Sequence, residues 1–114
     1  MLYLSSTAIL PNEGLYRASV ITTETVKSLL RVVDWTSCVG HESTAQVLTE
    51  LLGCEVCMNR LTVNLRPGDS MVCFKLNQRP PEGAILDKAQ LADLGYTFML
   101  IHRLDEDEWM VTGR

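Results

Sequence analysis

Apolar residues recur along the chain with two different periods, and the alternation of these periods predicts its elements. Leu2 to Ile9 and Tyr16 to Ile21 read as strands. The turn cluster Pro11-Asn12-Glu13-Gly14 between them predicts an opening hairpin. Val26, Leu29, Leu30 and Val33 then recur at helical spacing to about Asp34, behind Thr22 or Thr23 as a cap and with Glu24 in the first turn. Trp35 to Val39 is expected to be a loop. The next helix carries the clearest signals: Ser43-Thr44-Ala45-Gln46 fits a capping box, Val47, Leu48, Leu51 and Leu52 form an apolar stripe, and Gly53 stands where a left-handed C-terminal cap belongs. Its start is placed to within a residue or two.

Beyond it the period returns to two. Leu61, Val63 and Leu65 alternate with Thr62 and Asn64, so residues 60–65 predict a half-buried strand, which Pro67-Gly68-Asp69 turns into another at about Met71 to Leu76. Pro80-Pro81 makes residues 77–83 a rigid loop, because proline lacks the amide donor that a helix interior or a central strand requires. Asp87 caps a short helix to Leu94, Gly95 ends it, and Tyr96 to Leu104 is a last strand. Strands interleaved with helices predict an α/β fold: a single domain over residues 1–104 with a mixed sheet of about five strands, followed by an acidic tail over 105–114.

Composition fits that picture. A chain of 114 residues with 46% apolar and 21% charged residues has enough material for one core, which excludes a disordered chain. No apolar run approaches the roughly 20 residues that a spanning helix needs. The start, Met1-Leu2-Tyr3-Leu4-Ser5-Ser6-Thr7, lacks a cationic leader, so a soluble cytoplasmic protein is expected. The net charge of −4 comes largely from Asp105 to Glu108, and residues 1–103 are nearly neutral. A protein that grips many phosphates of a duplex normally shows a basic face, so extended DNA or RNA is an unexpected ligand, whereas one small anion in a local pocket is compatible.

The candidate chemistry is sparse. Cys54-Glu55-Val56-Cys57 is a C-x-x-C pair, but neither Cys38 nor Cys73 has a second ligand at metal-binding spacing, and the pair follows a helix end instead of opening a helix. The four cysteines therefore read as plain thiols, and no metal is expected. Of the two histidines, His102 falls in an apolar strand and reads as structural. His41 lies in Gly40-His41-Glu42-Ser43-Thr44, just before the best-signalled helix, where free N–H groups and the helix dipole favour an anion. Gly40 allows close approach of a ligand to the backbone, and imidazole exchanges a proton near neutral pH. A histidine that merely packs at a helix entry fits the same spacing. Arg60 and Arg79 carry planar forks suited to phosphate oxygens. Arg79 and Glu82 sit in a proline-stiffened loop that reads either as part of an anion site or as a surface ion pair. Trp35 and Trp109 suit packing or base stacking alike.

Gly40-His41-Glu42-Ser43-Thr44, Leu51-Leu52-Gly53, Asn59-Arg60, Pro67-Gly68-Asp69 and Gln78-Arg79-x-x-Glu82-Gly83, in this order and spacing, resemble the viral type III anti-CRISPR ring nucleases and their cellular relatives. The resemblance runs from Tyr3 to about residue 101. It implies a homodimer that cleaves cyclic tetra-adenylate without metal or cofactor, yielding linear di-adenylate with a 2′,3′-cyclic phosphate and so silencing type III CRISPR signalling. The implied catalytic residues are His41 as general acid, Arg79 as stabiliser of the transition-state charge, and Glu82 as orienter of His41 or acceptor of the 2′-hydroxyl proton. Arg60 would position the ligand, with Gly40, Lys75 and Gln78 beside it. The family's Asn-Ala-Phe-Ser stretch after the first strand is here Ser5-Ser6-Thr7-Ala8-Ile9, which leaves Ser5, Ser6 and Thr7 as hydroxyl donors, and Lys75 stands where members often carry glutamine. A non-catalytic sponge for the same ring is the competing expectation, and a small structural or DNA-binding protein is a third. Cleavage in EDTA, and its dependence on His41, separates these readings.

Overall fold

The computed structural model describes residues 1–7, 13–79 and 87–105. Its five strands are β1 (Leu2–Ser5), β2 (Tyr16–Ile21), β3 (Trp35–Ser37), β4 (Ser70–Leu76) and β5 (Tyr96–Arg103). Its three helices are α1 (Thr23–Val32), α2 (Glu42–Leu52) and α3 (Lys88–Leu94). The strands form one mixed sheet in the order β2-β5-β4-β1-β3, the α/β architecture expected from the sequence.

The local signals hold at the caps of α1 and α3 and at the end of α2. Thr22 caps α1 by accepting the Thr25 N–H at 3.1 Å, and Asp87 caps α3 by accepting that of Gln90 at 2.8 Å. Gly53 closes α2 in the left-handed conformation, φ 70°. Gly95 is more constrained: it has φ 73° and ψ 158°, and a Cβ there would stand 2.9 Å from the Asn77 side-chain amide. Gly95→Ala is therefore expected to lower unfolding stability by about 1–3 kcal/mol, measurable by urea denaturation. A change below 0.5 kcal/mol, roughly the scale of an ordinary surface substitution, would show that the junction between α3 and β5 relaxes freely.

Long-range pairing departs from the sequence reading in three places. First, β1 and β2 are not a hairpin. β1 lies inside the sheet between β3 and β4, parallel to both, whereas β2 pairs antiparallel with β5 at the far edge. Leu2 and Leu4 are almost fully buried, which suits an inner strand, and most of β2 is exposed, which suits an edge. Second, Trp35–Ser37 forms a short strand on the outer side of β1. Three residues are too few for a period to register. Third, residues 60–65 form no strand. Their alternation holds only in part, since Val63 and Leu65 are buried between exposed Thr62 and Asn64 whereas Leu61, in the same phase, is exposed, and the segment packs the two buried side chains onto a face of the sheet without joining its ladder. The expected first strand also reaches residues 8 and 9, which lie outside the described residues, as do 80–86 and the tail beyond 105.

Two clusters share the sheet. On one face Leu2, Leu4, Val72, Phe74 and Phe98 pack against the apolar stripes of the three helices, among them Val26, Leu48 and Leu91. On the other, Met71, Cys73 and Ile101 meet Val63 and Leu65. Because β1, β3 and β4 run parallel, their carboxyl ends emerge at one edge of the sheet, the customary place for ligands in open α/β folds.

Candidate functional site

At that edge the chain leaving β1 (Ser6, Thr7) faces the loop leaving β3 (Cys38 to His41). The segment Arg60 to Thr62 forms the third wall. Together they enclose an open groove of about 350 Å³ lined by Ser6, Thr7, Cys38, Gly40, His41, Arg60, Leu61 and Thr62. A second depression, about 170 Å³, continues from it past Ser5, Val63 and Met71.

His41, not Ser43, is the N-cap residue of α2, so the helix begins two residues before the start that the capping box implied, and Ser43 lies within its first turn. Its carbonyl accepts the Ala45 N–H at 3.0 Å, which is the first helical bond. Its side chain makes no capping hydrogen bond and is exposed to the groove. The imidazole thus stands at the positive end of an eleven-residue helix without being used to hold that helix in place. Arg60 approaches from the opposite wall, where its Nε donates to the Gly40 carbonyl at 3.1 Å. That bond fixes the root of the guanidinium beside the residue preceding His41, with the remaining N–H groups available to a bound anion.

The floor is neutral. Burial pushes the Cys38 thiol up, opposed in part by a hydrogen bond with Ser5, and its Sγ donates to the Leu4 carbonyl at 3.3 Å. Burial, with Cys38 close by, pushes the Cys73 thiol up to about 12. Neither is a nucleophile near neutral pH. All four cysteines are unpaired, and among the described residues no three metal-ligating side chains converge.

The structure therefore brings Ser6, Thr7, Gly40, His41 and Arg60 to one groove. Ser5 is adjacent, but its Oγ accepts the Thr7 N–H and donates to the Thr7 carbonyl, both at 3.1 Å. Its hydroxyl shapes the turn that presents Ser6 and Thr7. Lys75, Gln78 and Arg79 do not line the groove: Lys75 is exposed on β4 opposite Thr97, and Gln78 and Arg79 are exposed beyond the end of that strand, at the same edge of the sheet. Glu82 lies outside the described residues. The other histidine, His102, meets the Ser70 hydroxyl through Nδ1 at 2.8 Å, part-buried where β4 begins and β5 ends, in keeping with a structural role. Three groove residues went unread in the sequence: Cys38, Leu61 and Thr62. Thr62 and Leu61 sit beside Arg60 in a segment whose alternation pointed to a strand, and only its packing across the sheet turns them toward His41.

The STIV B116-like family model matches residues 2–98. Protein YddF of Bacillus subtilis is 37% identical over 99 residues, 85% of this chain and 92% of that protein. Protein 26 of a Sulfolobus islandicus filamentous virus is 35% identical over 105 residues, 88% of this chain and 89% of that protein. Among solved structures, B116 of Sulfolobus turreted icosahedral virus superposes with a TM-score of 0.71 over 90% of this chain and 98% of its own, at 18% identity, which shows a shared fold. The relatives thus include proteins of archaeal viruses and of a bacterium. With a match that spans nearly every element and close relatives aligned over most of their length, this chain belongs to the STIV B116-like family.

Proposed function

We propose that the protein is a metal-independent ring nuclease that opens cyclic tetra-adenylate and so switches off type III CRISPR signalling. The observation that carries this reading is His41: an exposed imidazole at a helix N-terminus, free of capping duty, facing Arg60 across a groove. The motif resemblance set out above supplies the substrate. In the reaction a ribose 2′-hydroxyl attacks its own 3′-phosphorus, the P–O5′ bond breaks, and a 2′,3′-cyclic phosphate forms. His41 donates the proton that the departing 5′-oxygen requires, and the 2′-hydroxyl proton passes to Glu82 or to water. Because the nucleophile is already part of the substrate, its placement supplies the proximity that a metal-bound water would otherwise provide.

A groove of about 350 Å³ is near the lower end of the roughly 300–1,000 Å³ typical of small-molecule sites, so one chain holds a part of the ring. A two-fold homodimer would set one His41 on each side of a pseudo-two-fold substrate and cut it twice. It would also allow Arg79, which is exposed and outside the groove of its own chain, to act on the bound ring. Purified protein incubated with cyclic tetra-adenylate in EDTA is expected to release linear di-adenylate, resolved by thin-layer or liquid chromatography. Ligand retained intact at excess enzyme would identify a sponge instead, and failure to bind the ring would remove both readings.

A further inference from the structure

Arg60, Leu61 and Thr62 form one wall of the groove, yet they belong to a stretch that hydrophobic burial does not hold. Val56 and Val63 are buried, and the six residues between them, Cys57 to Thr62, are all exposed. No helix or regular strand includes them. What fixes their course is a short ladder of hydrogen bonds to the end of β3 and the loop after it. Ser37 Oγ donates to the Cys57 carbonyl at 2.6 Å, and Val39 and Met58 form an isolated parallel bridge. The remaining rungs run through Asn59 and its neighbour. The Asn59 N–H donates to the Val39 carbonyl at 2.8 Å, Asn59 Nδ2 donates to the Ser37 carbonyl at 2.7 Å, and Arg60 Nε donates to the Gly40 carbonyl at 3.1 Å.

We propose that Asn59 is the positioning residue of this site: its amide clamps the Arg60 segment onto the loop bearing Gly40 and His41, and so sets the distance between guanidinium and imidazole. The inference rests on the nuclease reading for its functional consequence, though not for its structural one. Asn59 reaches Ser37, the last residue of β3, and thereby ties the wall to the sheet itself. Without that tie, exposed backbone bonds compete with water, and Arg60, a long side chain with many rotamers, is released from Gly40. The effect on catalysis passes through the wall it holds, and through Arg60 as the charged group there, since Asn59 itself is not among the residues lining the groove.

The test uses the full chain with Asn59→Ala and with Asn59→Asp, which keeps the volume and removes the donor. In ¹H–¹⁵N spectra the Arg60 Nε–H signal, assigned by its loss in Arg60→Lys, is expected to shift toward the free-arginine position and to exchange faster with solvent in both variants. With cyclic tetra-adenylate, Asn59→Ala is expected to raise KM about tenfold with kcat changed less than threefold. Asn59→Ala combined with Arg60→Ala should be no worse than Arg60→Ala alone. An unmoved Arg60 signal, or losses that multiply in the double variant, would overturn the proposal. If the wild type neither binds nor cuts the ring, the nuclease reading falls, while the Arg60 signal still decides the role of Asn59.

Discussion

His41→Ala is expected to slow opening of cyclic tetra-adenylate by about 10²–10⁴-fold, the usual contribution of a positioned general acid, with affinity for the ring preserved. Binding should survive because Arg60 and the first-turn N–H groups of α2 remain. Folding should survive because the imidazole makes no capping bond and is exposed. A companion variant sharpens the point. The N-cap position of a helix ordinarily favours Ser, Asp or Asn, so His41→Asn supplies a cap that the native residue does not, and should raise stability by about 0.5–1 kcal/mol while abolishing turnover. A gain in melting temperature together with a loss of cleavage would mark His41 as a residue kept at the expense of helix stability. If both variants cut at the wild-type rate, the acid lies elsewhere and the mechanism proposed for this groove is wrong.

Phe98→Ala should have the largest effect on folding, about 3–5 kcal/mol, the range for deleting a buried phenyl ring. Phe98 is 2% exposed, on the helix-facing side of β5. Its ring lies 5.5 Å from that of Phe74 and 5.9 Å from that of Tyr96, both tilted or edge-on in the arrangements aromatic pairs prefer. In register it stands between Ile21 of β2 and Phe74 of β4, so its loss opens a cavity where the edge strand joins the rest of the sheet. Domains of this size are stable by only about 5–15 kcal/mol, so the variant sits close to the unfolding threshold. Its melting temperature should fall by roughly 10–25 °C. Phe98→Leu, which refills most of the space, should cost about 1.5 kcal/mol or less. Equal losses for the two variants would locate the effect in something other than the cavity. Any Phe98→Ala protein that stays folded should cleave normally, since the ring belongs to the helix-side cluster and does not line the groove.

Much of the candidate site was legible before the fold was known, and for one reason. His41 and Gly40 precede a helix whose stripe and glycine cap are written in consecutive residues, and the anion-favouring character of a helix start follows from backbone geometry alone. Arg60 was legible as a fork suited to phosphate, but nothing near it in the chain indicates that Gly40 would accept its Nε–H across twenty positions. The hydroxyls of Ser5, Ser6 and Thr7 looked equivalent in sequence, whereas the turn they form engages Ser5 internally and leaves Ser6 and Thr7 on the groove. Arg79 looked like a partner for His41 and does not line the groove of its own chain.

The sequence by itself determined the helices, the caps of α1 and α3, the glycine at the end of α2 and the alternation of Val63 and Leu65. All of these act within one or two turns of chain, where a period of 3.6 or 2 and the capping chemistry of single residues are sufficient. Only the tertiary structure decided that β1 is enclosed between β3 and β4, that β2 joins the opposite edge, and that the segment after Met58 crosses the sheet as a cover. Strand pairing is a matter of backbone hydrogen bonds between positions tens of residues apart, and such bonds use groups that every residue carries alike. The same cause placed Ser6, Thr7, His41 and Arg60 around one groove: β1 and β3 run parallel and release their following residues at a common edge, and backbone hydrogen bonds bring the segment before β4 against the loop after β3.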